Sequence, residues 1–109
     1  MRAQAEEDVA LARAAREGDA RALELLSARL SHLPGLVRSM NQHLGRPLKD
    51  EELDEVVQDA LTSLWVKLGQ FDGRSTLETW AYGFCGTQLL KFLERKGRRG
   101  RVGEERSAR

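Results

Sequence analysis

A chain of 109 residues, 40% apolar and 32% charged, makes one small domain, too apolar to be disordered and too charged to lie in a membrane. No apolar run nears the roughly 18 residues of a membrane span and no h-region follows Met1, which points to a soluble, cytoplasmic product. The net charge of +1 conceals a segregation: residues 1–49 carry +2, residues 50–90 carry −6 and residues 91–109 carry +5, so the fold can turn opposite potentials toward two partners.

Every periodic segment reads as helix, and no run of four or more residues alternates apolar with polar. The expected fold class is all-α, a compact bundle of four to five helices. Residues 6–16 form a short Ala-rich helix ended by Gly18, within an N-terminal piece spanning 1–18. Asp19 is placed to N-cap the next helix, whose buried stripe is Leu23, Leu26 and Leu30. Pro34 either kinks that helix or opens a new one, with Leu36, Val37, Met40 and Leu44 inward. Gly45-Arg46-Pro47 is a break.

From Asp50 to Leu68 the pattern is strongest. Leu53, Val56, Val57, Ala60, Leu61, Leu64, Trp65 and Leu68 fall on one unbroken apolar face, with Trp65 counted as core. Gly69 to Ser75 reads as a loop, and Ser75-Thr76-Leu77-Glu78 has the pattern of a capping box. The last helix buries Leu77, Trp80, Ala81, Phe84, Cys85, Leu89, Phe92 and Leu93 and frays near Gly97. The domain proper is thus expected over 19–97, with 98–109 a basic, mobile tail. Cys85, the single cysteine, reads as an inert core residue. Neither it nor His32 and His43 has metal-site spacing, so no metal or other cofactor is expected.

Opposite the apolar stripe of 50–68, Glu51, Asp54, Glu55, Gln58 and Asp59 share one side. Glu51–Glu55 and Glu55–Asp59 are like-charge i,i+4 pairs, each destabilising by roughly 0.2–0.5 kcal/mol. Acids in a first turn favour the helix dipole, but Glu55 and Asp59 lie too far along for that. The face is either a solvated acidic surface or a docking stripe for an arginine-rich partner.

Asp54-Glu55-Val56-Val57-Gln58-Asp59-Ala60, then Leu64-Trp65, then Phe71-Asp72-Gly73-Arg74-Ser75, then Thr79-Trp80-Ala81-Tyr82, closely resembles conserved region 2 of bacterial RNA polymerase sigma factors, nearest to the extracytoplasmic-function group. The resemblance covers about residues 19 to 99. It implies that the helix from Asp50 grips the clamp coiled coil of the polymerase β′ subunit through Asp54, Glu55, Gln58 and Asp59, where carboxylates can pair bidentately with arginines. It also implies that the loop and last helix open the promoter −10 element by lodging a flipped base of the non-template strand. Phe71, Arg74, Trp80, Tyr82 and Thr87 are the positions carried over for that contact, with Lys91, Arg95, Arg98 and Arg99 along the phosphates. Trp80 also fits the core, since it sits on the apolar stripe, and the basic run also suits a helix C-terminus. An anti-sigma factor is a further candidate partner.

After Trp-x-Tyr the sequence departs from the family. The usual Arg-Ile-Ala, one variable residue, then Asn is here Gly83-Phe84-Cys85-Gly86-Thr87. Two glycines on the exposed side each cost about 1 kcal/mol of helix propensity. They reflect either relaxed DNA reading or close approach of a strand or helix to the backbone. Only about ten residues follow the last helix, so a second, promoter-binding helical domain (region 4) is not expected within this chain. The expectation is a transcription initiation domain and not an enzyme, because no nucleophile–base pair, phosphate-cradling loop or metal constellation is present. The alternative is a helical interaction module that docks on polymerase or a regulator without opening promoters.

Overall fold

The computed structural model describes the backbone of residues 2–107 and the side chains of residues 3–98. It is all-α: α1 (Arg2–Arg16), α2 (Ala20–Arg29), α3 (Leu33–His43), α4 (Asp50–Lys67), a 3₁₀ turn (Leu68–Gln70) and α5 (Leu77–Ser107), with no strand among the described residues. α5 packs along α4 and α3, and α2 packs on α1.

Local chemistry sets most of the boundaries. Gly18, at φ 92°, closes α1 in a Schellman turn: its amide donates to Ala15 O and that of Asp19 to Ala14 O, each at 3.0 Å. Asp19 then caps α2, its Oδ1 accepting from the Ala22 amide at 2.8 Å. Pro34 opens α3 from its first turn, resolving the choice between kink and new helix. After α3 the chain reverses through Gly45 and Arg46, both at positive φ. Buried Asn41 clamps that reversal, donating from Nδ2 to Leu48 O and accepting the Leu48 amide on Oδ1, both at 3.1 Å. Lys49 N donates to Glu52 Oε1 at 2.8 Å, which with Lys96 holds the Glu52 carboxyl below the usual range.

The core runs from Leu26 and Leu30 through Leu33, Val37, Leu53, Val56, Ala60, Leu64 and Leu68 to Leu77, Ala81, Cys85, Leu89 and Phe92. The α1–α2 contact is built from Ala12, Ala15 and Ala22, whose small side chains let the helices come close. Cys85 is fully buried, and desolvation pushes its thiol up to about 11.

Four expectations need correction. Trp65 is 39% exposed rather than core: it lies at the edge of the α4 stripe, with the Arg16 guanidinium 5.6 Å from its ring centre. Leu44 is 52% exposed because it is the C-cap of α3, where the chain turns off the core. The capping box at 75–78 does not form. Thr76 caps α5 instead, its Oγ1 accepting from Thr79 N at 3.1 Å, because the helix starts at Leu77, one residue later than the box requires, and Glu78 bonds Arg29. Finally, α5 does not end near Gly97, which keeps out of the positive-φ region used by Gly18, Gly45 and Gly73; its backbone stays helical to Ser107. The side chains of the tail beyond 98 lie outside the described residues.

An ion cluster joins the three elements at one end. Asp8, 1% exposed on α1, takes two hydrogen bonds from Arg29 of α2, at 2.6 and 3.1 Å. Arg29 makes two more to Glu78 of α5, at 2.8 and 2.6 Å. Asp8 Oδ2 also accepts the Leu77 amide at 3.1 Å and so supplies the N-terminus of α5 with an anion. The Arg29 guanidinium holds both carboxyls below the usual carboxylate range, and they in turn raise Arg29.

Candidate functional site

α4 carries two different edges, and helical spacing decides which residue lies on which. Asp54, Gln58, Leu61 and Trp65, at i, i+4, i+7 and i+11, share the edge toward α2. There Leu61 and Trp65 join Leu23, Leu26, Leu30 and Pro34 in an apolar groove of about 460 Å³. Asp59, Ser63 and Lys67, at i, i+4 and i+8, share the edge toward α5. Glu55 stands between the two edges. Asp54, Glu55 and Gln58 are exposed, Asp59 is half-buried, and none of the three acids enters an ion pair among the described residues. The four positions expected to dock a partner therefore do form one continuous face.

On the other side, α4 and α5 enclose a groove of about 310 Å³ lined by Ser63, Lys67, Trp80, Gly83, Phe84, Thr87, Gln88 and Lys91. Three of the sequence-derived candidates, Trp80, Thr87 and Lys91, meet here. Lys67 Nζ stands 5.9 Å from the Phe84 ring centre, giving the groove a second cation. Gln88 Nε2 donates to Ser63 Oγ at 3.2 Å and places an amide beside Thr87. A Cβ at Gly83 would meet nothing within 4 Å, so the helix backbone is open to a ligand. Gly86 belongs instead to the α3 side, with Met40, Leu44 and Leu90.

The remaining candidates lie elsewhere. Phe71 is 5% exposed under Trp80, their ring centres 5.1 Å apart, so the half-buried indole and not the phenyl ring faces the groove. Tyr82 packs edge-on against His32 of the α2–α3 turn at 5.7 Å. Arg74 stands in the loop, bonded to Asp72 at 2.9 Å and almost wholly exposed. Arg95 covers Phe92, and Arg98 pairs with Glu94 at 3.4 Å. The Arg99 side chain is outside the described residues. Sequence reasoning missed Lys67, Ser63 and Gln88. Lys67 had a signal, being one of only two basic residues between 50 and 90. Gln88 had none, since its role depends on a contact 25 residues away.

The model of the Sigma-70 region 2 family matches residues 30–99, well over half of the chain. The chain belongs to the Sigma-70 region 2 family. No curated protein and no solved structure matches it. Sigma-70 region 2 is a transcription-factor domain and not an enzyme family, and its members bind polymerase core and promoter DNA. The matched stretch takes in α3, α4, the loop and α5 as far as residue 99, and with them both the acidic face and the α4–α5 groove. α1 and all of α2 precede the region 2 match. Among the described residues no helix is long and apolar enough to cross a membrane.

Proposed function

We propose that this region 2 domain acts in transcription initiation as part of an extracytoplasmic-function-type sigma factor in the cytoplasm. Asp54, Glu55, Gln58 and Asp59 dock on the clamp coiled coil of the β′ subunit, and the α4–α5 groove holds the non-template strand of the −10 element. The observation that carries this reading is the pairing of opposite surfaces on one helix. α4 offers three acids without ion-pair partners among the described residues and an amide on its outer face, next to an apolar groove. Its C-terminal edge, with α5, forms a groove that combines an indole face with Lys67 and Lys91. The first suits arginines presented on a helical partner, and the second suits a base stacked above a phosphate chain. An anti-sigma factor competing for the α4 face belongs to the same proposal.

Stacking on Trp80 is tolerant of sequence, since every base has a π-face. Discrimination has less support: Thr87 offers a single hydroxyl where the family pattern has an amide, and Gly83 replaces its arginine. That observation favours a second reading, a module that docks on polymerase without sequence-specific opening. Pull-down with core polymerase followed by binding of −10 single strands separates the two. Docking with no strand binding at low salt selects the second reading, and failure of both removes both readings.

A further inference from the structure

α1 lies outside the matched stretch, and the function proposed above makes no use of it. It nevertheless touches the segment that leads into Trp80, a residue of the groove wall, at two separate places. Asp8 accepts the Leu77 amide, the first of α5, and ties it through Arg29 to Glu78 on the next residue. Trp80 stands one turn further on, over Phe71. The second place is the loop between them. Gly73, at φ 78°, lies so close to α1 that a Cβ there would come within 3.0 Å of Val9 Cγ2 and 3.2 Å of Ala5 O. α1 thus holds both the loop that carries Phe71 and the turn that precedes Trp80.

We infer that Asp8 is a positioning residue for nucleic-acid binding: through Leu77 and the Gly73 contact, α1 sets where the Trp80 indole stands over the groove. This rests on the reading of the α4–α5 groove as the single-strand site. The polar cluster is satisfied throughout, with no buried side-chain nitrogen or oxygen unpartnered among the described residues. Such a cluster fixes one arrangement of the helices more sharply than an apolar contact would, because each bond is directional. Neither Asp8 nor Gly73 lines the groove itself, so neither touches the strand in this arrangement.

The test compares the full chain with Asp8→Asn and, separately, Gly73→Ala. The second leaves the ion cluster intact and serves even where the first does not fold. Binding of a short fluorescein-labelled single-stranded DNA is followed by anisotropy across a salt series. Binding to core polymerase is measured in parallel, at a temperature where circular dichroism shows each protein fully helical. The expected result is strand affinity lowered roughly tenfold, within the range of a lost base stack, with polymerase affinity unchanged. The slope of affinity against salt should also stay the same, because Lys67 and Lys91 keep their phosphate contacts. Equal losses for both partners, or strand binding unchanged in either variant that folds, overturn the inference alone. A wild-type chain that binds no strand overturns the reading of the groove, and this inference with it.

Discussion

The indole of Trp80 covers the ring of Phe71 at 5.1 Å and meets Phe84 edge-on at 4.8 Å, so it is the middle of three rings, and it borders the groove with Phe84 while Phe71 does not. The two aromatic substitutions should therefore fail differently. Trp80→Ala is expected to weaken single-strand binding by roughly 1–3 kcal/mol, the value of one base stack. Phe71→Ala empties a buried site and should cost about 3–5 kcal/mol of stability. Thermal melts alongside strand titrations check both. Full stability in Phe71→Ala, with strand binding lost, would restore Phe71 as the stacking platform.

The docking face gives a second expectation. Gln58→Arg with Asp59→Arg puts two positive charges where an amide and an acid now stand, facing arginines in the proposed contact. Core-polymerase affinity should fall by several kcal/mol, as expected when like charges meet in a desolvated interface. The melting temperature should barely move, because Gln58 is exposed and Asp59 is outside any ion pair among the described residues. Wild-type affinity in the double variant contradicts the docking assignment.

Acid should unfold the protein partly through the α1–α2–α5 cluster. Asp8 and Glu78 bind protons less readily in the folded chain than in the unfolded one, chiefly because Arg29 donates to them. Between the folded and unfolded values the unfolded chain holds more protons, so stability rises with pH there. It should be level from neutrality to about pH 5 and decline as pH falls through about 4 and below, toward the folded values. Asp8→Asn should lower stability at pH 7 by about 1–3 kcal/mol and flatten the acid slope. Urea unfolding at a series of pH values measures both, and an unchanged slope would show that Asp8 does not carry it.

Base preference should be shallow. Thr87 supplies one hydroxyl, whereas a good bidentate contact to a base edge is worth roughly 1–3 kcal/mol. Preference among bases at the flipped position is expected to stay below about tenfold, and Thr87→Asn should raise it. Competition with single strands differing at one base decides the matter. Strong selectivity in the wild type would assign the reading to another side chain of the groove.

What could be read from the sequence was what repeats locally. The α4 stripe, the Asp19 cap, the Gly18 stop and the reversal after α3 are set by spacing and turn chemistry within a few residues, and all four appear in the structure. The acidic face follows from the same periodicity. What escaped is what depends on distant partners. Asp8, Arg29 and Glu78 are separated by 21 and 49 residues, and each alone looks like an ordinary surface charge. The misplaced cap goes with this cluster: α5 starts at Leu77, so Thr76 holds the cap and Glu78 stands one position short of the box, bonded to Arg29. Phe71 and Trp80 were harder still. Both lie near the start of α5, and which ring covers the other depends on how the loop folds back, which no local pattern records.

The 18 residues of α4 run without interruption, and both proposed surfaces belong to them. Asp59 and Lys67 are eight residues apart, about 12 Å along the axis at 1.5 Å per residue. The helix therefore acts as a gauge. Whatever grips the acidic side and whatever enters the groove are held at a set offset and a set angular phase, with no hinge between them to absorb error. A strand seated beside Lys67 is thereby registered against the protein that holds Asp59. In the proposed function, correct spacing on the template is then a property of one rigid rod.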